Sequence, residues 1–246
     1  MSGIFELINF QPPKPPLQGL SSRLLDYCGL HYLYNETPET EWLFRKSLAL
    51  GDVSVLAGLP GVGKNYFTYQ AMVHLSAGLD FLRWQVEDEY RCRTFCLTGE
   101  ESSGDVHQKV RAALLQIPEE HRAKAAASIH AISVNGDVGL VTTDRYGRIA
   151  PSDNYFYLDE LLGDLLPRFF VLDTLARFFP VNENDNASLT QVFSLLEQLA
   201  TKHQTTIMVS RGNVGGEAHC RVIENGDGRC RGRCGWFFRR VVLYAV

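Results

Sequence analysis

Short apolar runs that stop at glycine or at an acidic residue alternate along this chain with stretches whose apolar positions recur every three or four residues. The first run, Val53-Ser54-Val55-Leu56-Ala57, ends at Gly58 and predicts a buried parallel strand. From Lys64 to Gly78, Phe67, Ala71, Leu75 and Gly78 share one face, with Met72 and Val73 widening it, which predicts a helix. Arg93 to Gly99 predicts a second strand; Glu100, Glu101, Ser102 and Ser103 then lead into a helix through Val106, Val110, Leu114 and Ile117. A helix over Glu119 to Ala127 and a strand near Ile129 to Val134 follow, and the polar, glycine-containing stretch up to Asn154 reads as a long mobile loop. Tyr155 to Leu166 predicts an amphipathic helix, stopped by Pro167 directly before the strand Arg168 to Asp173. Asn184-Asp185-Asn186 offers N-caps to a helix carrying Leu189, Val192, Phe193, Leu196 and Leu199, and Thr205 to Val209 predicts the next strand. Strand and helix in alternation predict an α/β fold, a mostly parallel sheet with helices on both faces.

The two ends break this pattern. Residues 11 to 16 read Gln-Pro-Pro-Lys-Pro-Pro, a stiff extended segment, so residues 1–45 are expected to form an N-terminal arm or lead-in and residues 46–210 the core. Residues 211–246 read as an atypical basic tail rich in glycine, arginine and cysteine, disordered or truncated, with seven arginines against Glu217, Glu224 and Asp227. Because the whole chain carries a net charge of −4, that tail stands against a markedly acidic remainder.

Composition narrows the class. With 45% hydrophobic and 21% charged residues over 246 positions, the chain is globular and long enough for one sizeable core. No apolar run approaches the roughly 20 residues that span a bilayer, and no signal-like N-terminus precedes the core, so a cytoplasmic protein without a membrane partner is expected. Six cysteines are too sparse for a disulfide framework, and Cys28, Cys92 and Cys96 are expected to be reduced core residues. An acidic total argues only weakly against a nucleic-acid partner, since such contacts are made by a few loops.

The chemistry is concentrated at three strand ends. Gly58-Leu59-Pro60-Gly61-Val62-Gly63-Lys64-Asn65 fits a phosphate loop, with Tyr66 following it, after a strand and at the start of a helix. Its glycines let backbone N–H groups face the phosphates, the helix N-terminus adds positive potential, and the Lys64 ammonium reaches the β- and γ-phosphates of ATP. Asn65 departs from the pattern, because the Ser or Thr hydroxyl at this position ordinarily ligates Mg²⁺; its amide oxygen is a longer ligand of different geometry, so Asn65 and Asp173 are the expected metal residues with Mg²⁺ held more weakly. Asp173, ending an apolar strand, is the expected partner of a magnesium-bound water, and Glu100 the expected group that polarises the attacking water. The plainer alternatives are a cap for Asp173 and a solvated turn for Glu100 and Glu101.

With these residues in place, the chain resembles the RecA-like ATPases of the plasmid RepA hexameric helicase type, AAA-family proteins. The resemblance covers about Trp42 to Ser210. It rests on the phosphate loop, on Leu97-Thr98-Gly99-Glu100-Glu101 with His107 and Arg111 in the helix after it, and on Val171-Leu172-Asp173-Thr174-Leu175-Ala176-Arg177-Phe178 followed by Glu183-Asn184-Asp185-Asn186. It implies a RecA-like P-loop NTPase fold, Glu100 as catalytic base, Asp173 serving the metal, and ATP-driven movement on single-stranded DNA as a homo-oligomeric ring such as a hexamer, with other replication proteins. Relatives follow the next strand with a His-His sensor loop and an Arg-Gly-Ser-Ser stretch that reaches a neighbouring subunit. Here those positions read Ser210-Arg211-Gly212-Asn213 and Arg231-Gly232-Arg233-Cys234, which makes Arg231 the candidate arginine finger.

Two rival readings attach to the same residues. Asn65 and the missing sensor histidines would suit a nucleotide-binding regulator, or an ATPase that hydrolyses poorly. In the tail, His219, Cys220, Cys230 and Cys234 offer four zinc ligands, although adjacent His219 and Cys220 strain a tetrahedral site and free thiols are the simpler expectation. The Phe pairs 169/170, 178/179 and 237/238, and the aromatic lead-in from Tyr27 to Phe44, read first as core and only second as base-stacking groups.

Overall fold

A computed structural model describes residues 29–34, 36, 39–59, 61–86, 92–145, 148–182, 185–212 and 241–243. The chain divides into two compact units, Met1–Glu39 and Thr40–Val246. In the first, the described part is one short helix, α1 (Gly29–Tyr34).

The second unit is built on a parallel sheet. In chain order it holds a small hairpin, β1 (Trp42–Phe44) and β2 (Leu48–Ala49), then β3 (Val53–Ala57), α2 (Lys64–Ala77), β4 (Thr94–Thr98), α3 (Ser103–Gln116), α4 (Glu119–Ala126) and β5 (Ile129–Ser133). A second hairpin, β6 (Val141–Thr143) and β7 (Ile149–Pro151), precedes α5 (Asp153–Leu165), β8 (Phe169–Asp173), α6 (Leu175–Phe178), α7 (Asn186–His203), β9 (Thr206–Arg211) and β10 (Val241–Leu243). Six strands pair in the order β10-β3-β9-β8-β4-β5, every pairing parallel. The predicted α/β architecture is therefore present, and β10 shows that three residues of the basic tail join the sheet beside β3.

The strands read as continuous apolar runs because both faces of the sheet are covered. Alternate side chains divide between two cores. Cys96, Phe169, Val171 and Met208 pack with Tyr69, Met72, Val106, Ala113 and Ala125 of α2, α3 and α4. Phe95, Leu97, Phe170, Leu172, Ile207 and Val209 pack with Leu158 and Leu162 of α5 and with Leu189, Val192, Leu196 and Leu199 of α7. Phe95 stacks on Phe170 across the β4–β8 pair, and Phe169, Phe170, Phe178 and Phe179 are all fully buried, so these pairs are core. Cys92 and Cys96 are buried free thiols, as expected; burial pushes Cys92 up to about 12, and Cys96 is likewise held high.

Two sequence expectations change and one is made specific. The core begins before residue 46: Leu43, Phe44 and Leu48 are fully buried, Phe44 lies 5.2 Å from the Trp84 ring, and Thr206 donates a 2.7 Å hydrogen bond to the Ala49 carbonyl. The stretch before Asn154 is not a structureless loop but carries the β6–β7 hairpin. It is tied down by Leu140 N–H to the Phe178 carbonyl at 2.7 Å and by the Ser152 hydroxyl to the Gly139 carbonyl at 2.7 Å. The α7 cap is Asp185, whose carboxylate accepts from Ala187 and Ser188 N–H, within the predicted trio. Cys28, Phe237 and Phe238 lie outside the described residues.

Candidate functional site

Parallel strands place all their C-terminal ends on one edge of the sheet, and ligands of open α/β sheets bind there. Here that edge collects the sequence-predicted groups. β3 delivers Gly58 and the loop, β4 delivers Gly99, Glu100 and Glu101, β8 ends on Asp173, and β9 ends on Ser210 and Arg211. Register does the rest: Thr98 lies opposite Asp173, and Leu56 opposite Ser210.

The loop from Gly58 to Lys64 turns through left-handed backbone at Gly61 (φ 82°) and Gly63 (φ 89°), and Gly63 caps α2 at its N-terminus. A side chain at either would be strained, so glycine here follows from the turn itself. Lys64 is the first residue of α2; its ammonium donates back to the Gly58 carbonyl at 2.9 Å and the Leu59 carbonyl at 3.1 Å. Tyr66 stands exposed on the first turn, with the Lys109 ammonium 5.4 Å from its ring centre. Pro60 lies outside the described residues.

Asp173 is 4% exposed and draws together three elements. Its Oδ2 accepts from the Asn65 amide nitrogen at 3.0 Å and from the Thr98 hydroxyl at 3.2 Å, while Oδ1 accepts from the Ser210 hydroxyl. Burial, joined by the nearby charges of Glu100 and Glu101, lifts this carboxyl above its ordinary range, and the hydroxyls of Ser210 and Thr98 pull it back only in part. The pocket thus favours cationic or donor groups beside Asp173. A hard cation suits this carboxylate. Asn65 turns an N–H donor toward Asp173, so the usual pairing of a hydroxyl with a carboxylate is not reproduced.

Glu100 and Glu101 diverge although they are neighbours. Glu100 is exposed, and its Oε1 accepts from the Thr174 hydroxyl at 2.9 Å. Glu101 is 9% exposed, accepts from the Tyr69 hydroxyl at 2.6 Å and pairs with Lys109, while its carbonyl accepts from the Ser133 hydroxyl. Burial, with Cys96 and the Glu101 hydrogen bond adding to it, holds the Tyr69 phenol well above its usual range, so it stays a donor. Desolvation alone would lower Lys109, but the bond and charge of Glu101 outweigh it and the ammonium is held above its usual range. Glu101 is therefore a built anchor for the β4–α3 turn, not a solvated charge. Ser102 and Asp105 close a reciprocal capping box on α3 just beyond it.

Sequence reasoning brought Gly58 to Asn65, Glu100 and Asp173 to one edge and missed their supports. Thr98, Ser210 and Thr174 hold the carboxylates, and Arg177 crosses over Gly99 to donate to the Gly136 carbonyl at 2.9 Å. Arg231, His219, Cys220, Cys230 and Cys234 lie outside the described residues. Among the described residues no group of three or more His, Cys, Asp or Glu side chains is placed to hold a metal, and no helix is long and apolar enough to cross a membrane.

A parallel sheet, a glycine-rich loop opening a helix on lysine, and an acidic residue ending β8, one strand removed from β3, define a P-loop ATPase that binds ATP. More particularly, the AAA domain family matches residues 24–211, and the chain belongs to that family. No curated protein matches its sequence. Among solved structures it is similar to the KaiC-like protein of the hyperthermophilic archaeon Pyrococcus horikoshii, at 17% identity over 71% of this chain and 67% of that one, with a TM-score of 0.45.

Proposed function

We propose that this ATPase hydrolyses ATP with Glu100 as the general base and uses the cycle to act on single-stranded DNA, as a helicase or as a replication or recombination motor. The observation that carries the hydrolytic half is the Thr174 hydroxyl on Glu100, which holds an exposed carboxylate at the same sheet edge as the phosphate loop and Asp173. In this reading Lys64 leaves the Gly58 and Leu59 carbonyls and binds the β- and γ-phosphates, together with N–H groups of the Gly58–Tyr66 segment. Glu100 takes a proton from a water as that oxygen bonds to the γ-phosphorus. The bond from the γ-phosphorus to the β–γ bridging oxygen breaks, and ADP leaves with that oxygen. Anchored by Tyr69 and Lys109, Glu101 fixes the turn from which Glu100 projects.

The DNA-directed half rests on the resemblance to ring-forming plasmid helicases, with neighbouring copies of the chain and replication proteins as partners and Arg231 as a finger reaching the adjacent site. A second reading, a nucleotide-binding regulator that hydrolyses poorly, is favoured by one observation: Asn65 donates to Asp173 where a metal-binding hydroxyl ordinarily stands.

ATP turnover with and without single-stranded DNA, alongside the mass in solution, separates the two. Lys64→Ala is expected to abolish nucleotide binding, and Glu100→Gln to keep binding while lowering turnover about 100-fold or more, the usual scale of a general base. A wild-type chain that binds ATP but turns over no faster than Glu100→Gln refutes the motor and supports the regulator.

A further inference from the structure

We propose that the Asn65 side chain takes over part of the work of a magnesium ion, tying Asp173 to the nucleotide phosphates by hydrogen bonds, so that this site holds nucleotide with little dependence on a divalent cation. The inference rests on the reading of Gly58 to Lys64 as a phosphate cradle.

A divalent ion at a phosphate loop does two things. It links the phosphates to the acidic residue at the end of a nearby strand, and it offsets the repulsion between their negative charges. A hydroxyl at the position after the lysine serves that ion as a ligand. Asn65 stands at that position, on the first turn of α2 next to Lys64, and its amide nitrogen lies 3.0 Å from Asp173 Oδ2. The orientation of the amide follows from its partner. A carboxylate oxygen that already receives the Thr98 hydroxyl is an acceptor, so the amide presents its nitrogen and not its oxygen.

An amide nitrogen carries two N–H donors, and the bond to Asp173 uses one. The second is the donor for a phosphate oxygen in the cradle that Gly61, Gly63 and Lys64 form. One side chain then links carboxylate and phosphate by two hydrogen bonds, as a metal ion would by coordination. Asp173 is prepared for this by its other partners. With Asn65, Thr98 and Ser210 it receives three protein donors, which offset part of its charge when no cation is near. A threonine or serine at 65 could not make this link. Its single O–H can serve Asp173 or a phosphate but not both, and its oxygen is suited to an ion.

The test is equilibrium binding of a fluorescent ADP to the full chain in magnesium and in EDTA, for the wild type, Asn65→Thr, Asn65→Ser and Lys64→Ala. The wild type is expected to weaken less than about threefold when magnesium is removed, whereas Asn65→Thr and Asn65→Ser weaken about tenfold or more, the scale of one charge-assisted hydrogen bond lost. Two hydroxyl variants are used so that poor folding of one leaves the comparison standing. A wild type that loses affinity on chelation as steeply as either variant overturns the inference and leaves the ATP-binding reading intact, because the Asn65–Asp173 bond would then not extend to the phosphates. A wild type that binds no better than Lys64→Ala in magnesium overturns the ATP-binding reading, and the inference with it.

Discussion

Gly99 offers the sharpest test of the packing behind the site. A Cβ built on Gly99 would lie 2.1 Å from Cγ of Arg177, with Cδ at 3.1 Å and Cβ at 3.2 Å. Carbon atoms rest at about 3.5–4.0 Å, so the closest approach is short by well over about 1 Å and one partner must move. The Gly99 backbone is not free to do so, since its N–H donates to the Asp173 carbonyl at 2.7 Å and ties β4 to β8. Arg177 must therefore turn out of its rotamer and give up the bond to the Gly136 carbonyl. The lost hydrogen bond is worth about 1 kcal/mol and overpacking costs typically reach about 3 kcal/mol, so Gly99→Ala is expected to destabilise the protein by about 1–3 kcal/mol in urea unfolding. Truncating the arginine removes the obstacle. Arg177→Ala alone is expected to cost about 1 kcal/mol, and the double variant to be less destabilised than the sum of the two single changes by about 1 kcal/mol or more. Strict additivity would refute the reasoning, because it would mean that Arg177 does not press on residue 99. Since Glu100 follows directly, the single Gly99 variant is also expected to lose turnover that the double variant regains.

Other outcomes follow from the same contacts. Tyr69→Phe removes a buried donor from Glu101 while leaving Lys109, and is expected to cost about 1–3 kcal/mol by thermal or urea unfolding; an unchanged midpoint would show that Lys109 alone satisfies the carboxylate. Asp159 contributes acid dependence outside the site. Partial burial would raise it, but hydrogen bonds from Lys202 and His203 outweigh that and hold it below its ordinary value. A carboxyl depressed in the folded state contributes stability that is present above its unfolded value, about 3.9, and lost as pH falls through the folded one. The wild type should therefore lose more stability than Asp159→Asn as pH is lowered from about 5 through that range, and parallel pH profiles would remove the assignment.

How much of this was legible in the chain depends on the kind of signal. The strands β3, β4, β8 and β9 were, because sheets covered on both faces demand unbroken apolar runs, and the runs end at Gly58, Gly99, Asp173 and Ser210. Neighbours in the sheet were not. Thr98 and Ser210 reach Asp173 only because β8 lies between β4 and β9, an order that no local pattern encodes. The β1–β2 hairpin was hidden by the proline-rich segment before it, which made Trp42 and Phe44 read as part of an arm. The β6–β7 hairpin was hidden by its polarity, since a few points hold it, chiefly Leu140, Val141 and Ser152. Glu100 and Glu101 look alike in sequence, and only the positions of Tyr69 and Lys109 on two different helices tell which is buried.

The posture of Lys64 bears on how nucleotide arrives. Its ammonium donates to the Gly58 and Leu59 carbonyls, so this cation is already partnered within its own loop. Binding is then an exchange: the lysine must release two oxygens of its own loop to take two from the phosphates. The affinity the loop displays is therefore lowered by the cost of giving up those two carbonyls, a cost set by the loop's own backbone and not by the nucleotide.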